Sequence, residues 1–180
     1  MHVARLEIGD KRIEVVRGDI TKEKADAIVN AANSTLLGGG GVDGAIHRAG
    51  GARILEECRT LGGCATGDAK ITTAGDLPAD FVIHAVGPVY RGGNSGEADL
   101  LAGCFRRSIE LAEEKGLKSI AFPAISCGVY GYPISEAAPL AIETVRTALE
   151  GAQRLERVRF VLFSEEDYGV FEAALADSAA

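Results

Sequence analysis

Residues 30–44 read NAANSTLLGGGGVDG. An apolar run, AIVN (27–30), meets two asparagines, Asn30 and Asn33, then four glycines in succession, and only then a single carboxylate, Asp43. A flexible connector would explain the glycines alone, but connectors rarely lead straight into an amphipathic helix such as VDGAIHRAGG (42–51). Four residues without a Cβ let the backbone reach positive φ and approach a ligand closely. Asp43 falls in the first turn of the helix, where a carboxylate caps or offsets the dipole. Asn30 and Asn33 are equally able to satisfy buried loop backbone.

The spacing Gly39-x-Gly41-x-x-Gly44 formally matches a dinucleotide fingerprint. Its context does not. The preceding strand ends at about Asn30, and RILEECRTL (53–61), where a second strand with a ribose-binding acid is due, reads as a helix. A Rossmann-type nicotinamide site therefore stands only as an alternative.

Outward from this stretch, strands alternate with helices. VARLEIG (3–9) and RIEVVRG (12–18) form a hairpin about Gly9-Asp10-Lys11. AIVN (27–30), AKITTAG (69–75), FVIHAVG (81–87), SIAFPAI (119–125) and VRFVLF (158–163) are short apolar runs of buried-strand type. Between Glu97 and Lys115, the residues Leu101, Cys104, Phe105, Ser108 and Ala112 make one buried helical stripe. Ala138, Ala141, Ile142, Val145 and Leu149 do the same from Ser135 to Leu149, with Pro139 expected to bend or delay that helix. A last helix, about 165–176, buries Val170, Phe171 and Leu175, and residues 177–180 are expected to be a short C-terminal tail. No linker divides the chain, so residues 1–176 are expected to form one three-layer α/β domain, with ligands at the carboxyl ends of its strands.

Composition narrows the chemistry. At 180 residues and 47% hydrophobic, the chain can bury a core of its own. It begins without an apolar leader and has no run of eighteen apolar residues, so neither secretion nor a membrane span is expected. A formal charge of −7 argues against binding a nucleic-acid backbone. Any anionic ligand would be held by backbone N–H groups and helix N-termini. Cys58, Cys64, Cys104 and Cys127 show no C-x-x-C pairing, and histidines at 2, 47 and 84 supply no metal-ligand spacing. Reduced thiols in a cytoplasm are the expectation.

Two further loops carry candidate residues. In PAISCGVYGYP (123–133), Gly128 and Gly131 let successive N–H groups converge as a nest for a diphosphate. Tyr130 and Tyr132 are equally readable as core aromatics. Asp19, in Gly18-Asp19-Ile20-Thr21, either caps the next turn or accepts a hydrogen bond from a ligand amine.

Taken together, GDIT-x4-DAIVNAANSTLLGGGGVDGAIHRAGG, GDA (67–69), VIHAVGP (82–88) and FPAISCGVYGYP resemble the macrodomain family, most closely its MacroD-type ADP-ribose-binding hydrolases. The resemblance spans about Val3 to Phe171 and implies a three-layer α/β/α fold about a central mixed sheet. It also implies a set of roles. Asp19 would accept from the adenine amine, with the backbone of Ile20 against the ring; such charge-assisted bonds, about 1.5–3 kcal/mol, give a preference of about ten- to hundredfold or more. Phe163 matches the position of an aromatic that stacks on adenine. Gly40, Gly41 and Val42 on one side, and Ser126, Cys127, Gly128 and Val129 on the other, would clamp the diphosphate. The distal ribose would lie between Asn33, Asp43, Gly128 and Tyr130, the residues expected to carry catalysis.

The implied reactions are removal of mono-ADP-ribose from acidic side chains of proteins and deacetylation of O-acetyl-ADP-ribose, without metal or cofactor. The implied partners are ADP-ribose, its esters and mono-ADP-ribosylated proteins. A reader module that binds without turnover is the alternative; relatives lacking the asparagine and acid are often such binders, and this chain keeps both. Many relatives carry Thr where this chain has Cys127; because that loop acts through its backbone, binding is expected to persist.

Overall fold

The computed structural model describes residues 3–180. Seven strands form one sheet: β1 Val3–Ile8, β2 Lys11–Arg17, β3 Ala27–Ala32, β4 Ala69–Thr73, β5 Phe81–Val86, β6 Ser119–Phe122 and β7 Arg157–Leu162. Their spatial order is β1-β2-β7-β6-β3-β5-β4. The five from β2 to β5 run parallel, and β1 and β4 close the two edges antiparallel. Carboxyl ends of all five parallel strands therefore open onto one rim of the sheet.

Helices cover both faces because the parallel strands are apolar on both. Ala27, Val29, Ile83, Ala85, Phe122 and Phe160 point to one side, where they pack with α3 (Glu97–Glu114), α4 (Ile134–Glu150) and α5 (Glu165–Ala179). On this side Phe105, Phe122, Phe160 and Phe171 form a chain of ring contacts with centroids 5.1, 5.7 and 5.2 Å apart. Each buried ring stabilises the fold by about 1.5–3 kcal/mol. The alternate residues, Ile28, Ala32, Val82, Val86, Ala121 and Val161, meet α1 (Gly41–Gly50) and α2 (Ala52–Arg59) on the other side. Toward β1 the buried Glu14 is held by Arg5, Arg12 and Arg159 at 3.1–3.3 Å. Burial alone would raise its carboxyl, but Arg159 first and then Arg12 and Arg5 bring it below the ordinary value.

Three sequence expectations need correction. β3 continues two residues past Asn30, to Ala32, because Ala31 and Ala32 keep their pairing with Ala85 and Val86 of β5. Pro139 does not delay α4, which starts at Ile134. The first turn is fastened by Glu136 and Ala137 N–H groups donating to the Pro133 carbonyl, and the N–H that Pro139 lacks would have served Ser135, which is exposed to water. Residues 177–179 are not a tail: α5 runs to Ala179, and Ser178 is tied to α4 by Arg146 and by Glu143 at 2.7 Å.

Candidate functional site

The rim of the sheet holds a cavity of about 680 Å³, built where the parallel strands end: Gly18 and Asp19 follow β2, Asn33 follows β3, Gly87 follows β5, Pro123 and Ala124 follow β6, and Phe163 follows β7. Every residue expected at a site from the sequence lines this cavity: Asp19, Ile20, Asn33, Gly40, Gly41, Val42, Asp43, Ser126, Cys127, Gly128, Val129, Tyr130 and Phe163. Among the described residues no lysine or arginine lines it, whereas Asp19, Asp43 and Asp167 do.

Two loops face each other across it. In the first, Gly38 and Gly41 take φ of +93° and +57°, a region costly for residues with a Cβ. Gly41 opens α1, and the N–H groups of Gly40, Gly41, Val42 and Asp43 make no hydrogen bond within the described protein. In the second loop, Gly131 has φ +72° as its composition foretells, but the strained residue at its start is Ser126, at φ +67°. Gly87 makes that conformation possible, since a Cβ there would lie 2.1 Å from Ser126 Oγ. The loop is closed by Tyr132 N–H donating to the Ser126 carbonyl at 2.9 Å and Gly131 N–H to that of Gly128 at 3.0 Å. N–H groups of Ser126, Gly128, Val129 and Tyr130 stay unpaired within the described protein, and the buried Ser126 hydroxyl has no protein partner either. Helix-terminal and loop amides in this state are anion donors that need no formal charge. Tyr130 lies half-buried at the cavity, while Tyr132 belongs to the core against Tyr90.

At the other end, Asp19 starts a short 3-10 turn, Ile20–Lys22, by accepting from Thr21 N–H at 3.0 Å and Thr21 Oγ at 2.7 Å. Both bonds fall on Oδ1. The Thr21 hydroxyl, more than any other contact, lowers the Asp19 pKa. Phe163 is 82% exposed, far from a core residue, and Ser164 behind it caps α5 by accepting from Asp167 N–H.

Asp43, only 5% exposed, sits at the floor of the cavity. Its Oδ1 accepts from Asn30 Nδ2 at 2.8 Å and lies 3.3 Å from His47 Nε2, one turn along α1 and not aligned for a hydrogen bond. Its Oδ2 lies beside Gly39, where a Cβ would stand 3.1 Å away. Asn33 spends its side chain on the loop: Nδ2 donates to the Gly38 carbonyl at 3.0 Å, and Oδ1 accepts from Thr35 N–H at 3.1 Å and Thr35 Oγ at 2.6 Å. It shapes the approach to the glycines while its edge lines the cavity.

Sequence reasoning missed the ring of groups behind Asp43. Asn30 also reaches His84 Nδ1 at 3.1 Å, and His84 Nε2 lies 2.8 Å from Thr72 Oγ and 3.6 Å from Cys58 Sγ. The expectation that the histidines form no cluster is corrected here: ligand atoms of His47, Cys58 and His84 come within 4.8 Å of one another. Spacing along the chain hides this, because the three sit on α1, α2 and β5; His2 lies outside the described residues. The Asp43–His47 separation of four was the one local signal, placing both on a single helix face. Cys127 has neither histidine as hydrogen-bond partner, and burial first, then Asp167, pushes its thiol up to about 12, the state of an inert thiol.

A macrodomain is what this combination of sheet order, rim and paired loops defines, and the chain belongs to that family: the family model for the Macro domain matches residues 29–141. Among curated relatives, a macro domain-containing protein of Chlorobaculum tepidum is 58% identical over 164 residues, covering 91% of this chain and 95% of its own. One from Cupriavidus necator is 55% identical over 170 residues, covering 92% and 98%. Among solved structures, the Oceanobacillus iheyensis macrodomain with ADP matches at TM-score 0.94 and 44% identity, over 99% of this chain and 98% of that one. The Trypanosoma brucei macrodomain in complex with ADP-ribose matches at 0.85 and 44%, over 91% of this chain and 68% of that one.

Proposed function

We propose that the protein binds ADP-ribose in this cavity, hydrolyses the ester that joins ADP-ribose to an acidic side chain of a protein, and deacetylates O-acetyl-ADP-ribose, in the manner of a MacroD-type enzyme. The observation that carries the reading is the pairing of main-chain N–H groups on two facing loops, unpartnered among the described residues, with a buried carboxylate at one end and no described lysine or arginine between. Those donors suit a diphosphate. The likeness to macrodomains solved with ADP and with ADP-ribose supports the same ligand here.

In this reading the adenine lies between Phe163 and Ile20, with its amine on the Asp19 oxygen that Thr21 leaves free. The amides of Gly40 to Val42 and of Ser126, Gly128 and Val129 hold the diphosphate, with the Cys127 N–H kept by the Ala124 carbonyl, and the distal ribose rests between Asn33, Gly128, Tyr130 and Asp43. Asp43 and the substrate's own phosphate orient a water and take up its proton. The water oxygen bonds to the anomeric carbon as that carbon's bond to the ester oxygen breaks, and the protein side chain leaves as a stable carboxylate that needs little acid assistance. For the acetyl ester, water adds at the acyl carbon instead, that carbon's bond to the ribose oxygen breaks, and the proton taken from the water passes to the ribose oxygen as acetate is released. We propose a cytoplasmic location, in keeping with four unbridged cysteines; among the described residues no helix is long and apolar enough to cross a membrane.

A binder without turnover is the second reading, favoured by the depth of Asp43 and the commitment of its Oδ1 to Asn30. Incubation with a glutamate-linked mono-ADP-ribosylated protein separates the two. Wild type should release ADP-ribose, and Asp43→Ala should lose about a hundredfold or more in rate while still binding free ADP-ribose. No release from either protein, with calorimetric binding intact in both, would establish the binder and discard the hydrolase.

A further inference from the structure

We propose that His84 is a positioning residue: acting through Asn30, it holds the Asp43 carboxylate in the orientation that the cavity uses, instead of being a filler of the core or a metal ligand. The inference rests on the role of Asp43 proposed above.

Asn30 and His84 are direct partners across the β3–β5 pair and are both fully buried, in a sheet face otherwise made of Ile28, Ala32, Val82 and Val86. Two polar side chains at one register position in an apolar layer are expensive unless satisfied, and here both His84 nitrogens and the Asn30 NH2 edge have partners, while the buried Asn30 Oδ1 has none among the described residues. The protons can be assigned in sequence. Asp43 Oδ1 accepts from Asn30 Nδ2 at 2.8 Å, so the NH2 edge of that amide is turned toward the carboxylate. The same edge meets His84 Nδ1, which must therefore be the acceptor. The ring proton is then on Nε2, and it meets Thr72 Oγ, whose own hydrogen goes to the Thr73 carbonyl at 2.9 Å.

Each group in the chain from the Thr73 carbonyl to Asp43 thus has one permitted orientation. Burial and His47 keep the ring neutral, bringing its pKa down to about 3, so the arrangement persists across neutral pH. A cation between His47, Cys58 and His84 would have to displace the proton that Thr72 fixes, and would meet a thiol raised to about 11 by burial and by Asp43. A core-filling imidazole would need no such order. What the chain accomplishes is to leave Asn30 a single rotamer, with one N–H spent on His84 and the other aimed at Asp43 Oδ1.

The test combines ring spectroscopy with three variants. In 15N-labelled protein at neutral pH, His84 should show the Nε2–H tautomer, with the Asn30 side-chain amide protons slow to exchange; an Nδ1–H ring overturns the proposal. His84→Leu should lower kcat for ADP-ribose release by about tenfold or more, since misorientation of a reacting group is costly. Its affinity for free ADP-ribose should stay within about twofold, because His84 is not among the residues that line the cavity. His84→Asn puts a carbonyl where Nδ1 stood and should restore kcat to within about threefold of wild type. Equal losses in the Leu and Asn variants, or a loss of affinity that matches the loss of kcat, would mean a merely structural role.

Should His84→Leu fail to fold, Thr72→Val makes the same comparison: a mixed tautomer with reduced kcat is expected, and an unchanged kcat overturns the proposal. If wild type shows no turnover, the hydrolase reading fails but this one does not depend on it alone. The Asn30 amide then decides, its protection being lost in His84→Leu and kept in His84→Asn if the proposal holds, and unchanged in both if it does not.

Discussion

Asp19 lines the cavity and uses one carboxylate oxygen to start a turn, with no hydrogen bond on the other among the described residues, so the two readings open at the sequence level, cap and ligand acceptor, are compatible. Asp19→Asn should keep most of the cap yet lose the preference for an amine over a carbonyl on the base. Calorimetry should give wild type about tenfold or more in favour of ADP-ribose over its inosine counterpart, shrinking to about threefold or less in the variant; equal preference in both proteins would remove adenine recognition from Asp19. His84 makes a second prediction. It is faced by His47 from α1, Cys58 from α2 and Thr72 from β4, with Asp43 reached only through Asn30, and burial first and then His47 bring its folded pKa to about 3, well below the 6.5 of an exposed histidine. The unfolded chain therefore takes up a proton that the folded one refuses. Stability is complete above pH of about 6.5 and is lost as pH falls toward 3, by up to about 1.4 kcal/mol per unit. Denaturant melts between about pH 5 and 6.5 should show this slope in wild type and a shallower one in His84→Asn. Identical slopes would place the titration elsewhere. Asn30 and His84 were visible in the sequence only as polar breaks ending AIVN and FVIH; their pairing depends on strand register, which no local pattern states.

The four-glycine run divides into separate duties. Gly38 and Gly41 carry the positive φ, Gly39 leaves room for the Asp43 carboxylate, and Gly40 has nothing within 4 Å of a notional Cβ. Gly44, the fifth glycine of the stretch, matters for another reason: a Cβ there would lie 2.6 Å from the Gly39 carbonyl oxygen. Gly44→Ala should push α1 off its loop, lowering stability by about 1–3 kcal/mol in thermal denaturation and weakening ADP-ribose binding in the same protein. A variant with wild-type melting and affinity would show that the helix and loop are not packed this closely. Strands and helices were largely legible because the apolar stripes of α3 and α4 are clean and the central strands are buried on both sides. Failures came where tertiary contacts overrule local chemistry: α5 extends to Ala179 through its ties to Glu143 and Arg146, and Pro139 does not delay α4 because its first turn leans on the Pro133 carbonyl.

At the scale of the molecule, the proposed function asks an acidic protein with a cavity edged by three aspartates to receive an anion. Attraction between opposite charges is not available to it, and direct dipoles must supply the hold. Affinity for ADP-ribose should then change by less than about threefold between about 50 and 500 mM NaCl, whereas a site of lysines and arginines weakens steeply over that range. A steep loss in salt titration would mean that a basic residue closes over the ligand. The layered fold and the rim of strand ends could be read from the order of apolar runs, and with them the location of the cavity. The opposition of the two loops required knowing that β6 lies next to β3. Main-chain donors have a further implication for genetics. A receptor whose grip belongs to the peptide bond offers no side chain to delete, so an alanine scan across residues 126–130 would leave the grip largely in place. Disarming such a receptor takes added bulk or a proline, and a molecule designed to occupy it would face few escape substitutions that do not also exclude its natural occupant.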